Sequence, residues 1–176
     1  YSDTHGTSFR IILSDLLLCP SILRVTPQIA LKQGMSPDNI IVMMYDDVVN
    51  DDQNPYPGQL FNAPTAAGTP GVDVYRGVRK DYTGKSVTAK NFLSVITGDA
   101  AAMQGVGSGR VLNSTAEDRV FINFVDHGGV GLIAFPNQPY LYAKDLIAAL
   151  QTMHTKKLYK ELVFYVEACE SGSMFK

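Results

Sequence analysis

Val120-Phe121-Ile122-Asn123-Phe124-Val125 runs directly into Asp126-His127-Gly128-Gly129. A near-continuous apolar run that stops at polar residues is the pattern of a strand buried on both faces, as in a parallel sheet. Two more runs share it. Ile40-Ile41-Val42-Met43-Met44-Tyr45 ends at Asp46-Asp47, and Leu162-Val163-Phe164-Tyr165-Val166 ends at Glu167-Ala168-Cys169-Glu170-Ser171-Gly172. Helical stretches lie between them. Thr88 is a natural N-cap for a helix from Ala89 to about Thr97, with Phe92, Leu93 and Ile96 on one face. Residues 143–155 form another, with Leu146, Ile147, Ala149 and Leu150 facing inward. Apolar strands alternating with helices predict an α/β domain with a mostly parallel sheet.

The remaining segments read as connections or as weaker elements. Ile29-Ala30-Leu31 resembles the last turn of a helix closed by Gly34. Ser36-Pro37-Asp38-Asn39 is a turn, residues 50–71 with Pro55, Pro57, Pro64 and Pro70 are a long surface loop, and residues 103–119 are a polar loop. Leu132-Ile133-Ala134-Phe135 reads as a short hairpin strand. Near the start, Ile11-Ile12-Leu13 suits a short strand. Leu16 to Leu23 suits a helical fragment that Pro20 is expected to break.

Composition narrows the function. The 176 residues carry 15 Lys+Arg against 17 Asp+Glu, a net charge of −2, so no basic field recruits nucleic acid or anionic lipid. Apolar residues make up 45% and charged residues 18%, which fits one globular domain and not a disordered tail. Two cysteines cannot build a disulfide framework. The longest apolar stretch, Ile11 to Leu18, is interrupted by Ser14 and Asp15 and is too short to span a bilayer, so no stable membrane insertion is expected. It also lacks the marks of a signal peptide.

In open parallel sheets chemistry gathers beyond the carboxyl ends of the strands. One strand delivers His127 there and another delivers Cys169, 42 positions later. An imidazole can take a thiol proton and later return one to a leaving amine, the minimum set for thiol nucleophilic catalysis. Gly128 and Gly129 leave backbone N–H groups unobstructed, so Gly128 and Cys169 are candidate donors to a tetrahedral oxyanion. Ser171-Gly172-Ser173 could begin a helix whose positive end favours thiolate. The bland reading stands beside this one: a Cys after an apolar strand is often a small buried residue, and a strand-end His often a structural group. His5, His154 and Cys19 show no metal-ligand spacing, so neither metal nor cofactor is expected, nor is a Cys19–Cys169 disulfide. Asn113-Ser114-Thr115 is an N-glycosylation sequon on a loop, with Asn113 as the acceptor.

The blocks Ile41 to Asp47, Gly77-Val78 with Lys80 to Gly84, Asn91-Phe92-Leu93, Gly105 to Gly109, Asp126-His127-Gly128 and Glu167 to Ser173, in this order, strongly resemble the legumain family. These are the asparaginyl endopeptidases or vacuolar processing enzymes, of the caspase-like clan of cysteine proteases. The resemblance covers about residues 28–176. It implies a caspase-like three-layer sandwich, His127 as the catalytic imidazole, Cys169 as the nucleophile, Gly128 and the Cys169 amide as the oxyanion hole, and Glu167 as a wall of the S1 pocket. It further implies peptide or protein substrates with Asn at P1, or Asp at acid pH, a thioester intermediate, peptide ligation by some members, zymogen maturation, and a lysosomal or vacuolar location.

Residues 1–28 do not resemble the family, which leaves 29–176 as a partial peptidase domain with a sheet incomplete at both ends. The family's Asn that orients the His, and its Arg-His pair, have no counterpart in matching context before Asn39. The expectation is a chain of weak or no activity on its own. A non-catalytic relative and a transamidase-type acyl transferase are the alternatives that the residues leave open.

Overall fold

The computed structural model describes residues 9–15, 20–61 and 71–176. In chain order the regular elements are β1 (Phe9–Asp15), α1 (Pro20–Lys32), β2 (Ile40–Met44), α2 (Ala89–Ile96), β3 (Arg119–Val125), β4 (Gly128–Gly129), β5 (Leu132–Ile133), β6 (Leu141–Tyr142), α3 (Ala143–Thr155) and β7 (Glu161–Glu167). The apolar runs become a four-stranded, wholly parallel sheet in the order β2-β1-β3-β7.

Alternation along each strand divides this sheet between two helical layers. Ile12, Ile41, Met43, Val120, Ile122 and Phe124 point one way, into a core closed by Phe92, Val95 and Ile96 of α2 and by Leu146, Ala149 and Met153 of α3. Phe92 is its hub, with ring centroids 6.1, 5.6 and 6.4 Å from Phe124, Phe135 and Phe164. Ile11, Ile40, Val42 and Met44 point the other way and meet Ala30 of α1, with Leu31 and Met35 beside it. The three layers are those of the caspase-like arrangement expected from the sequence.

The chain's start differs from its reading. The short apolar run at Ile11 belongs to a seven-residue strand at the centre of the sheet, in register with β2 on one side (Ile11↔Ile40) and β3 on the other (Ile11↔Phe121). Pro20 does not break a helix; it is the first residue of α1. A proline is tolerated there because a first-turn N–H has no intrahelical acceptor to lose. Leu16 to Cys19, and likewise His5, Pro64 and Pro70, lie outside the described residues.

Two loops are tied more firmly than their composition suggests. Met103 and Leu112, from the loop read as polar, are fully buried. The Asp81 carboxylate accepts from the Val42 N–H and the Ser108 hydroxyl and pairs with Arg110 at 3.0 Å. Arg110 also donates to the Ile40 and Asp38 carbonyls, stapling the loop to the amino end of β2.

Candidate active site

β3 and β7 are adjacent and parallel, and their last paired residues are Val125 and Glu167. The Asp126 N–H donates to the Glu167 carbonyl at 3.1 Å, holding the two strand ends together. His127 and Cys169 each follow that last pair by two residues, so the register brings both to the same edge of the sheet. Both are exposed, and Cys169 is a free thiol.

Beyond this edge the chain turns into a small antiparallel sheet of β4, β5 and β6. The Ala134 N–H donates to the His127 carbonyl at 2.9 Å, making residues 127 and 134 a hydrogen-bonded pair. Pairs alternate in an antiparallel ladder, so Gly128, opposite Ile133, is a non-hydrogen-bonded position whose N–H points away from β5. Gly128 is required by close approach. A Cβ there would stand 2.3 Å from the Cys169 carbonyl oxygen and 2.9 Å from the Ala168 Cβ. The residue after the imidazole is thus packed on the backbone of the thiol residue.

A second tie joins the two segments. The Ser173 hydroxyl accepts from the Gly131 N–H at 2.8 Å and lies 2.6 Å from the Glu170 carbonyl. The turn after Cys169 reverses at Glu170, which adopts a left-handed φ of 56°, and Met174 anchors it in the core. The segment Ser171–Phe175 is a five-residue 3-10 turn rather than an α-helix. The macrodipole suggested from the sequence therefore has little length to act through.

Asp126 sits beneath this arrangement. It is buried, its Oδ1 accepts from the His127 N–H, and its Oδ2 has no hydrogen-bond partner among the described residues. Burial pushes its carboxyl up to about 6, against the opposing pull of the His127 N–H and ring. Among the described residues, no hydrogen bond fixes the His127 ring. Glu167 is exposed at the end of β7 and lines a cavity of about 460 Å³ with Asn123, Tyr165, Ser171, Gly172 and Phe175. Asn123 is a lone carboxamide inside the otherwise apolar run of β3, and that contrast is the signal that singles it out.

Other candidates lie elsewhere. Asn113 is exposed on the loop before β3, at the opposite end of the sheet, while the Thr115 hydroxyl of its sequon is bonded to Asp118. Asp46 forms an ion pair with Lys80 at 3.0 Å. Among the described residues no three His, Cys, Asp or Glu side chains converge as metal ligands, and no helix is long and apolar enough to cross a membrane.

A parallel α/β sandwich that brings a free thiol and an imidazole to one sheet edge, beside an outward-pointing glycine N–H, has the architecture of a cysteine peptidase. Residues 22–176 match the family model described as Peptidase C13, and the chain belongs to that family. It is 52% identical over 147 residues to Legumain of Bos taurus, a match covering 84% of this chain and 33% of that protein. Against the Vacuolar-processing enzyme of Phaseolus vulgaris it is 51% identical over 149 residues, 85% of this chain and 29% of the relative. Against Legumain of Homo sapiens it is 50% identical over 147 residues, 84% of this chain and 33% of the relative. The chain thus spans about a third of the length of the curated relatives it matches, and it is homologous to legumain-type cysteine endopeptidases.

Proposed function

We propose that this chain carries the nucleophile-bearing half of a cysteine endopeptidase site that cleaves after Asn, and after Asp when acid protonates its carboxyl. The observation that supports the reading is the shared register of β3 and β7, which delivers His127 and Cys169 to one edge with Gly128 against the Cys169 carbonyl. His127 removes the Cys169 proton, the sulfur attacks the scissile carbonyl, and the Gly128 and Cys169 N–H groups stabilise the oxyanion. The imidazolium then protonates the departing amine. Water resolves the thioester, or a second peptide amine does so, which is ligation.

Glu167 is the acceptor wall of the S1 pocket, since an Asn side chain offers an NH₂ that needs one. The substrates are peptides or proteins. Of the three relatives named above, two are legumains and one is a vacuolar-processing enzyme, and we assign this chain to a lysosome or vacuole on that ground. Asn113 is assigned as a glycan acceptor on its exposure.

A positioned acid–base partner contributes roughly 10²–10⁴-fold, and an imidazole ring without an orienting hydrogen bond forfeits part of that. Weak turnover by the isolated chain follows. The test is hydrolysis of an Ala-Ala-Asn reporter peptide at acid pH. We expect slow turnover that both Cys169→Ala and His127→Ala abolish. Turnover that survives Cys169→Ala would overturn the assignment.

A further inference from the structure

The oxyanion site proposed above is divided between two segments about forty residues apart in the chain. Gly128 belongs to the β4–β5 hairpin, and Cys169 to the turn that follows β7. Two donors serve one oxygen only when their separation is held to within about 0.5 Å. Apolar packing keeps the segments in contact, at Gly128 against the Cys169 carbonyl and at Met174 in the core, but such packing is non-directional. Gly128 and Gly129 bring no side chain to steer the hairpin.

Direction comes from one hydroxyl. The Ser173 Oγ accepts from the Gly131 N–H at 2.8 Å and donates to the Glu170 carbonyl at 2.6 Å. The Ser173 N–H donates to the same carbonyl at 2.8 Å. Among the described residues, every hydrogen bond between the hairpin and the Cys169 turn passes through this oxygen. Both ends of the link bear on the site. Glu170 follows Cys169 directly, and its φ of 56° is a left-handed conformation that a residue with a side chain keeps only where its surroundings hold it. On the other side, the Gly131 carbonyl accepts from the Ala143 N–H at 2.9 Å, which moors the hairpin to the start of α3. A hydroxyl can accept on one side and donate on the other, which is the role this junction requires. Without it the hairpin stays with α3, while the turn that carries Cys169 relaxes separately.

We propose that Ser173 is a positioning residue for the reaction: its hydroxyl sets the Gly128 N–H against the Cys169 N–H so that both reach the same oxyanion. The inference rests on those two N–H groups forming the oxyanion site, as proposed above. Its loss weakens species that carry charge on the former carbonyl oxygen and leaves the intrinsic reactivity of the thiol unchanged.

The test sets a reagent that needs the oxyanion site against one that does not, and it reads the thiol, so it works on a slow chain. In the peptide aldehyde Ala-Ala-Asn-al, the Cys169 sulfur adds to the aldehyde carbon, the C=O opens, and the thiol proton ends on the new oxygen, which lies at the two N–H groups. Iodoacetamide alkylates the same sulfur by displacing iodide and forms no oxyanion. The aldehyde concentration that halves alkylation, read by mass spectrometry of the Cys169 peptide, gives an apparent Kd. We expect Ser173→Ala to raise this Kd about tenfold or more, with native circular dichroism and an unchanged alkylation rate in the absence of aldehyde. Ser173→Thr keeps the hydroxyl and should return the Kd close to that of the parent. An unchanged Kd in Ser173→Ala overturns the inference and leaves the peptidase reading standing. So does a change in its alkylation rate as large as the change in Kd, or loss of its native circular dichroism, since either marks a general structural role. A folded Ser173→Thr that binds no more tightly than Ser173→Ala also overturns it; if Ser173→Thr does not fold, Ser173→Ala decides. Should the aldehyde fail to protect Cys169 in the unmodified chain, the peptidase reading and this inference fall together.

Discussion

Asp126 carries a cost that the residues around it only partly offset. Its Oδ1 receives the His127 N–H, but its Oδ2 is buried with nothing to accept from among the described residues. The charged form is therefore disfavoured in the folded chain, where the carboxyl titrates near 6, against about 3.9 when unfolded. The sign follows. Below about pH 4 both states hold the proton and there is no penalty. As pH rises from about 4 to 6 the unfolded chain releases its proton first, so stability falls, and the loss is complete above the folded value. Asp126→Asn keeps the acceptor for His127 and removes the charge, at the expense of a buried NH₂. We expect the variant to be more stable than the parent by on the order of 1 kcal/mol at pH 7.5, with the gain gone at pH 4. Urea midpoints at the two pH values check it, and an equal gain at both would refute the burial argument. At this scale the sequence displays residue types but not their solvent exposure. His127, Cys169 and Gly128 are legible because strand ends are legible. The burial of Asp126 and of Asn123 depends on tertiary neighbours, and β3 takes its strand partners from β1 and β7, which are remote in sequence.

Among the elements, the strength of a tie follows from how completely its charges are withdrawn from water. The Asp81 side chain is fully buried and faces Arg110, whose side chain is 25% exposed, while Arg79 reaches Asp38 across the surface with both partners open to solvent. Removing Arg110 leaves a buried carboxylate with only the Val42 N–H, the Ser108 hydroxyl and the more distant Arg79. Arg110→Ala is expected to cost about 3 kcal/mol, toward the low end for breaking a buried pair, and Arg79→Ala less than about 1 kcal/mol. Chemical denaturation of the two variants should separate them clearly; similar losses would mean that the Asp81 contact is not the staple. The helices α2 and α3 and the strands β2, β3 and β7 are legible from period and capping. β1 is legible as a short strand at Ile11-Ile12-Leu13 but not in its full length or its central place, because three consecutive aliphatic residues cannot announce burial that comes from neighbours on both sides. β4 and β6 are missed for a related reason: two-residue strands carry no periodicity, and Gly128-Gly129 has no strand preference at all. α1 is obscured by Pro20, which reads as a breaker until its place in the first turn is known.

For the molecule as a whole, the decisive asymmetry is between the two faces of the sheet. One face is closed along its length by α2 and α3, while α1 covers the other face over β1 and β2. Over β3 and β7 that second face carries Phe121 stacked edge-on against Tyr165, with Val163 47% and Tyr165 62% exposed. β7 is also the outer strand of the sheet, with no partner on its far side among the described residues. The alternation of β7 shows the consequence directly, since its even-numbered residues are half-buried and its odd-numbered ones are open. The run Leu162 to Val166 reads in the sequence as a strand covered on both faces, and only half of that covering is present here. An outer strand with free backbone groups and an apolar face offers both hydrogen bonds and buried area to a second strand. The chain is therefore expected to self-associate as its concentration rises. Val163→Lys with Tyr165→Lys places charge on the open face without touching the closed core, and should shift sedimentation velocity profiles toward monomer with the circular dichroism unchanged. A parent chain that stays monomeric across the same concentrations would show that this edge is protected in solution by something other than a partner strand.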